Sequence, residues 1–260
     1  MTIKNYKISI ITVVKNNEKT IEKAIKSVIE QSYKNIEYIV IDGKSNDNTI
    51  KILEKYKNKI NILISEKDNS IWDAMNKGLS RASGDIVGFL NSDDYYYPNA
   101  IEIVNNYFNN KDINFLFGSV EKYKVMHGYK PWMVKWSFGF YTSHSVGFFI
   151  KTLDHNKVGF YNVKYLSADL DFFYKMIINF KMNGISTRKD EILGKFGKGG
   201  FASKVNYIDH LIDLNQIRID NNQNKFYVYF LFVIKILKKP LKFIKALISL
   251  KKIRDKKNHI

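Results

Sequence analysis

Cysteine is absent from the 260 residues. That removes disulfides, thiolate metal sites, iron–sulfur clusters and cysteine nucleophiles, and leaves oxygen or imidazole to ligate any metal. Proline is scarce at three, and one of these, Pro240, falls near the C-terminus. No apolar run approaches the roughly 20 residues that cross a bilayer; the stretch 227–237 is short and interrupted by Lys235. No small-residue cleavage site follows the short apolar run of MTIKNYKISIITVV. That run reads as a first strand rather than a signal peptide, and the protein is expected in the cytoplasm. No internal repeat is apparent. Acids are also in short supply, with 25 Asp and Glu against 42 Lys and Arg, a net charge of +17.

What is present is the composition of a folded globular protein: 45% hydrophobic, 26% charged and 15% aromatic residues. Disorder as the main state is excluded. The length accommodates one large α/β domain, alone or with a small appendage. A basic excess of this size points to nucleic acid, an anionic membrane surface or a phosphorylated substrate, and its distribution discriminates among them. Residues 226–260 hold ten Lys or Arg (235, 238, 239, 242, 245, 251, 252, 254, 256 and 257) and one acid, Asp255, so this tail carries nine of the seventeen charges. The remainder is only mildly basic.

Residues 8–14 form a β-branched run of the kind a strand buried on both faces requires. Asn16-Asn17 breaks it, and 18–31 follows with Ile21, Ala24, Ile25, Val28 and Ile29 at helical spacing. A second strand is expected at 36–41, a turn at 42–47 and a helix at 49–56. The alternation continues with a strand at 61–65, a helix at 71–82, a strand at 85–90 and a helix at 98–109. Repeated βαβ units imply a mainly parallel, Rossmann-like α/β sheet with a ligand crevice at the carboxyl ends of its strands. Beyond residue 110 the pattern loosens. Edge strands are expected at 115–124 and 128–135, a helix at 168–179, and a mobile loop at GKFGKGG, 194–200.

Acids gather at the expected strand ends, with Asp42 after the second strand and Asn91-Ser92-Asp93-Asp94 after the fourth. Adjacent carboxylates repel each other, and a divalent cation is the usual neutraliser. Oxygen ligands without a thiol favour Mn²⁺ or Mg²⁺, which in turn bind diphosphates. Taken alone, Ser92 to Pro98 reads equally well as a solvated turn capping the next helix.

The segments ISIITVVKNNEKTIEKAIKSV, YIVIDGKSNDNT, SEKDNSIWDAMNKGLSRASGDIVGFLNSDD and SADLDFF occur in an order and spacing that resembles the inverting family 2 glycosyltransferases of GT-A fold. The resemblance covers residues 8–201 and is closest to enzymes that build bacterial surface polysaccharides of the colanic acid, capsule or O-antigen type. It implies a nucleotide-sugar donor, UDP-linked by preference, and Mn²⁺ or Mg²⁺ as cofactor. Thr12, Val13, Val14 and Asn16 would lie near the nucleotide base, Asp42 would accept its hydrogen bond, and Asp68 and Asp73 would border the nucleotide. Asp73 also suits the first turn of a helix, where the dipole favours an acid. Asn91 replaces the first Asp of the family's Asp-x-Asp motif, so Asp93 and Asp94 would carry the cation and ribose between them, in either assignment. Asp169 matches the base that takes the acceptor's proton, although Ala168 replaces the Glu that often precedes it. Asp171, two residues on, would face another side of the helix, and is a secondary candidate together with His144. Lys195 and Lys198 would supply cations for a lid over the diphosphate.

Two units are expected: a GT-A catalytic domain at 1–205 and a basic, amphipathic helical tail at 206–260. In the tail, apolar residues recur at three- and four-residue spacing between lysines, the signature of an interfacial helix, with Pro240 splitting it. The expected partners are therefore the nucleotide-sugar, a glycan acceptor linked to polyprenyl diphosphate, and the anionic cytoplasmic face of the inner membrane. Nucleic acid is not expected, because the basic residues are not interleaved with a recognition motif. A catalytically silent GT-A-like interaction subunit is the main alternative, kept open by Asn91 and Ala168.

Overall fold

The computed structural model describes residues 4–136, 140–197 and 205–257, with 250–257 as backbone only. Its first strand is β1, Ile8–Val14, with every residue buried. A strand buried on both faces serves two cores. Ile11 and Val13 point into one with Trp72, Met75, Phe117, Phe148 and Phe173, and Ile8, Ile10 and Val14 point into the other with Ile25, Val28, Leu53 and Phe108. Burial of each such aliphatic side chain stabilises the fold by about 1.5–3 kcal/mol.

The helices α1 (Ile21–Ile29), α2 (Thr49–Lys55), α3 (Ile71–Leu79) and α4 (Ala100–Asn110) alternate with β2 (Ile36–Asp42), β3 (Ile62–Ser65) and β4 (Ile86–Phe89), and a short β5 (Tyr95–Tyr96) precedes α4. The α2 start is held by Asp47, whose carboxylate accepts the Thr49 N–H at 2.9 Å. The α3 start is held by Ser70, whose hydroxyl accepts the Asp73 N–H at 3.1 Å. Then come β6 (Phe115–Phe117), β7 (Ser119–Glu121), β8 (Val125–Met126), β9 (Phe148–Lys151), α5 (Thr152–Val158), α6 (Ala168–Tyr174), β10 (Gly184–Ser186) and β11 (Ile192–Lys195).

The main sheet has the order β10-β6-β9-β4-β1-β2-β3. β4, β1, β2 and β3 run parallel, with Val13 opposite Ile41 and Val14 opposite Asp42, while β9 is antiparallel to both β4 and β6. Four parallel strand ends thus open on one side, beside the inserted β9. A second sheet, β5-β11-β7-β8, stands next to them.

Two expectations past residue 110 are corrected. The span 128–135, expected as an edge strand, contains no strand; the two-residue β8 precedes it and a 3-10 turn occupies Pro131–Met133. In place of a loop from 194, Gly194 and Lys195 belong to β11, paired with β5 and β7. The cross-strand pairing there supplies order that a glycine-rich composition does not reveal.

Three helices end the described chain: α7 (Tyr207–Asp220), α8 (Lys225–Lys238) and α9 (Pro240–Lys257). Helix α7 is docked into the catalytic unit. Leu211, Leu214 and Ile217 are buried, and Arg218 is fully buried with its guanidinium donating to the Val134 and Lys135 carbonyls. The helix break falls at Lys239-Pro240, as the proline predicts. Among the described residues no helix is long and apolar enough to cross a membrane.

Candidate active site

A cleft of about 1310 Å³ lies at the strand ends. Val13, Val14, Lys15 and Asn16 enter it from the end of β1, Asp68 to Trp72 with Ala74 and Met75 from the approach to α3 and its first turns, Asn91 to Asp93 from the turn after β4, and Asp169 from the first turn of α6. Three carboxylates line it, Asp68, Asp93 and Asp169, along with Lys15, Lys19, Lys122 and Lys242.

At one end, Asn16 sits at φ 49°, a conformation that Asn tolerates better than most side-chain-bearing residues, and its Oδ1 accepts the Asn46 N–H at 2.8 Å. Behind it, Asp42 is fully buried and accepts from the Ser45 N–H and from the Ser45 and Ser65 hydroxyls. Asp42 therefore braces the loop, and the acid that faces the cleft here is Asp68. Burial raises the Asp68 pKa, opposed by Lys15, whose Nζ is 4.0 Å away. Gly43 permits this approach: a Cβ there would stand 2.4 Å from Asp68 Oδ2. Thr12 is buried beneath the floor and its hydroxyl accepts from Tyr38. Asp73 accepts the Asn69 N–H at 2.9 Å and faces Lys77 at 3.8 Å, so its carboxylate serves the start of α3.

In the middle, the two aspartates of the NSDD turn part company. Asp94 is 2% exposed; its Oδ1 accepts the Gly197 N–H at 2.7 Å and its Oδ2 accepts from the Ser145 hydroxyl. Burial pushes its pKa up to about 7. Asp93 instead lines the cleft, its pKa raised by burial and opposed by Lys122. Beside it, the Asn91 side-chain oxygen is buried without a hydrogen-bond partner, an arrangement costly enough to call for a ligand. One carboxylate, one orphaned amide oxygen and space for phosphate oxygens and water suit a hard divalent cation, which commonly takes only one or two carboxylates when it bridges a diphosphate. Among the described residues no group of three His, Asp or Glu forms a self-sufficient metal cage.

The expected lid cations are placed differently. The Lys195 ammonium pairs with Glu121 at 2.7 Å, and Lys198 lies outside the described residues. Lys122 is the cation beside Asp93, its Nζ 4.4 Å over the Phe196 ring. Gly197 packs so closely on the turn that a Cβ would sit 2.3 Å from the Asp93 carbonyl oxygen.

At the other wall Asp169 accepts a hydrogen bond from the Tyr141 hydroxyl at 3.1 Å, and burial pushes its pKa up to about 6. Asp171 points away: it is buried, paired with Lys175 at 2.7 Å, and accepts from Asn221 at 2.7 Å. His144 forms wall rather than chemistry. Its ring stacks on Phe89, its Nε2 lies 2.7 Å from the Tyr161 hydroxyl, and burial drives its pKa down to about 3, so it is neutral.

The profile of Glycosyl transferase family 2 matches residues 9–170, the stretch that runs from β1 to the first turn of α6. The chain belongs to this family. A glucosyltransferase of Escherichia coli, UDP-Glc:alpha-D-GlcNAc-diphosphoundecaprenol beta-1,3-glucosyltransferase WfgD, is 37% identical over 45% of this chain and 47% of its own length. The putative glycosyltransferase EpsE of Bacillus subtilis is 32% identical over 37% of the chain and 36% of its own length. The chain thus spans less than half the length of either curated relative. Among solved structures, Staphylococcus aureus TarS in complex with UDP-GlcNAc superposes with a TM-score of 0.67 at 19% identity, covering 87% of this chain and 70% of that one. The mannosyltransferase PcManGT of Pyrobaculum calidifontis, in complex with GDP-Man and Mn²⁺, gives 0.65 at 16% identity over 96% and 75%. These likenesses establish the GT-A fold.

Within this family 2 domain, Tyr141, Ser145 and Trp72 are site residues that sequence reasoning missed. Trp72 lines the cleft and its indole N–H donates to the Leu166 carbonyl at 3.1 Å. Tyr141 and Ser145 fall in the aperiodic stretch before β9, where no motif singles them out.

Proposed function

We propose that this chain is an inverting, metal-dependent glycosyltransferase. It moves a sugar from a nucleoside diphosphate donor, preferentially UDP-linked, to a glycan acceptor carried on a polyprenyl diphosphate. The setting is bacterial surface-polysaccharide synthesis at the cytoplasmic face of the inner membrane. The observation that carries this reading is the pairing, across one cleft, of the Asn91/Asp93 oxygen site with a carboxylate at Asp169 held near a pKa of 6. The names of the relatives add support: WfgD uses UDP-Glc and a diphosphoundecaprenol acceptor, and the two solved structures hold UDP-GlcNAc and GDP-Man with Mn²⁺.

Val13, Val14, Asn16 and Asp68 hold the nucleoside at the β1 end, and Asp93 with Asn91 Oδ1 faces the diphosphate. Asp93 and Asn91 would hold a divalent cation there, which would neutralise charge on the leaving diphosphate. The acceptor hydroxyl attacks the anomeric carbon from the opposite face. Its oxygen forms the new bond to carbon, the carbon–oxygen bond to the diphosphate breaks with both electrons leaving on the nucleotide, and the hydroxyl proton passes to Asp169. The Tyr141 hydroxyl donates to Asp169 Oδ2 and orients the carboxylate that takes that proton. No covalent intermediate with the protein forms.

A screen of nucleotide-sugars for slow hydrolysis, with Mn²⁺ and no acceptor, tests the reading. At least one UDP-sugar should release UDP, and EDTA should stop the release. If no nucleotide-sugar is hydrolysed or bound, the domain is a silent member of its family.

The membrane assignment has its own test. Exposed Phe226, Tyr229, Phe230, Val233 and Leu237 on α8 and Leu241, Ile244, Leu247 and Ile248 on α9 accompany exposed Lys238, Lys239 and Lys245. Each lysine near an anionic bilayer contributes about 1 kcal/mol. Reversing Lys238, Lys239 and Lys245 to Glu should abolish sedimentation with phosphatidylglycerol vesicles at low salt while leaving donor hydrolysis intact. Undiminished sedimentation would remove the membrane from the account.

A further inference from the structure

The end of the cleft beyond Asp169 is not built by the sheet. Its lining there is Val205, Tyr207 and His210 from α7 and its approach, and Lys242 from α9. These side chains are tied together and to the catalytic helix. The Lys242 ammonium lies 4.8 Å over the Tyr207 ring, and the Tyr207 hydroxyl donates to the Lys235 carbonyl at 3.3 Å. His210 Nδ1 is 3.2 Å from the hydroxyl of Ser167, two residues before Asp169. Burial lowers the His210 pKa, opposed by Asp213 and reinforced by Lys235 and Lys242. Asp213 is itself committed, accepting the Leu166 and Ser167 N–H groups at 3.0 and 2.8 Å. The first turn of α9 contains no acid. The result is a pocket end that carries the Lys242 ammonium and a hydrogen-bonding imidazole and, among its described lining residues, no carboxylate beyond Asp169.

The same helices carry the apolar path outward. Leu241, next to Lys242, is 74% exposed, Leu237 is 71% exposed, and Ile244 and Ile248 follow on α9. A ligand that satisfies both features has an anionic head joined to an apolar chain.

We propose that Lys242, His210 and Tyr207 form a subsite for the diphosphate of a lipid-linked acceptor, with the lipid lying along Leu237, Leu241 and Ile244. This rests on Asp169 as the base, because His210 ties the subsite to Ser167, at the start of the helix that carries Asp169. Lys242 supplies the charge, the His210 imidazole a hydrogen bond, and the Tyr207 ring holds the ammonium at the cleft mouth by a cation–π contact.

The test is a titration of the full chain, saturated with UDP and Mn²⁺, with farnesyl diphosphate, farnesol and inorganic pyrophosphate, read by calorimetry and repeated without UDP. Farnesyl diphosphate should bind at least about tenfold more tightly than either fragment. Lys242→Ala and Lys242→Glu should each weaken it by about tenfold or more, and Lys242→Arg should restore most of it. UDP affinity measured in each variant reports that the fold is intact. Equal binding of farnesol would show an apolar groove without phosphate recognition, and equal binding of pyrophosphate would show a free-phosphate site. Either result, or a Lys242→Glu protein that binds farnesyl diphosphate as the parent does, overturns the proposal. No turnover is needed, so a failure of donor hydrolysis in the nucleotide-sugar screen would count against the catalytic reading alone.

Discussion

Replacement of Asp169 by Asn should lower sugar transfer by at least about 10²-fold, the scale of a lost general base, while leaving the affinity for UDP unchanged. The pH dependence carries more information than the rate. Burial raises the Asp169 pKa to about 6, and only the carboxylate form accepts a proton. Transfer by the parent should therefore rise about tenfold per pH unit below 6 and level off above it, whereas the Asn variant should show no such rise. The linkage to stability has the opposite sign. A carboxylate with a raised pKa favours the fold while protonated, so its contribution is present at low pH and lost as pH climbs through about 6. Asp169→Asn should thus gain stability relative to the parent as pH rises from about 4 to about 6 and hold that gain above it, as thermal unfolding would record. Asp171→Asn should behave differently, losing its Lys175 and Asn221 contacts and lowering the melting temperature with no change in the pH–rate profile. A pH profile that follows Asp171 would reassign the base by two residues.

The second large effect is expected at Asp93. Loss of groups that only orient a metal ligand already costs about 10–100-fold in metal affinity, so Asp93→Ala should weaken Mn²⁺-dependent UDP binding by at least about 10²-fold. The parent titrated with EDTA should look like the variant titrated with Mn²⁺. Asp94→Asn should weaken UDP binding less, because Asp94 holds Ser145 and the Gly197 N–H and does not line the cleft. If UDP binds the parent equally well in Mn²⁺ and in EDTA, the cation has no place in donor recognition.

The first half of the fold is legible because its signals are local. The β-branched run Ile8–Val14 can only be a strand buried on both faces, and Ile21, Ala24, Ile25 and Val28 place one face of α1. Asp93 and Asp169 are legible because they sit in motifs at a strand end and at a helix start. Which oxygen faces a cleft is a different kind of fact. Asp42, Asp93 and Asp94 are alike in the sequence, and they are told apart by the Ser45 and Ser65 hydroxyls, by Ser145 and by the Gly197 N–H, two of them some 50 to 100 residues away along the chain. The pairing of Lys195 with Glu121 and the register of β11 are equally non-local. The C-terminal helices were read from their lysines and apolar spacing, and nothing in that pattern indicates that Tyr207, His210 and Lys242 would close the cleft.

The family profile ends at residue 170, one residue beyond Asp169, so it includes the proposed base but not its mounting. The N–H groups of Leu166 and Ser167, just before α6, are gripped by Asp213 of α7, and Asn221, the residue that follows α7, donates to Asp171. The aim of the proposed base therefore depends on residues outside the matched stretch. Two relatives with the same motif can drift apart in rate by changing a helix that no motif describes, and a graft of residues 9–170 alone would transplant the chemistry without its alignment.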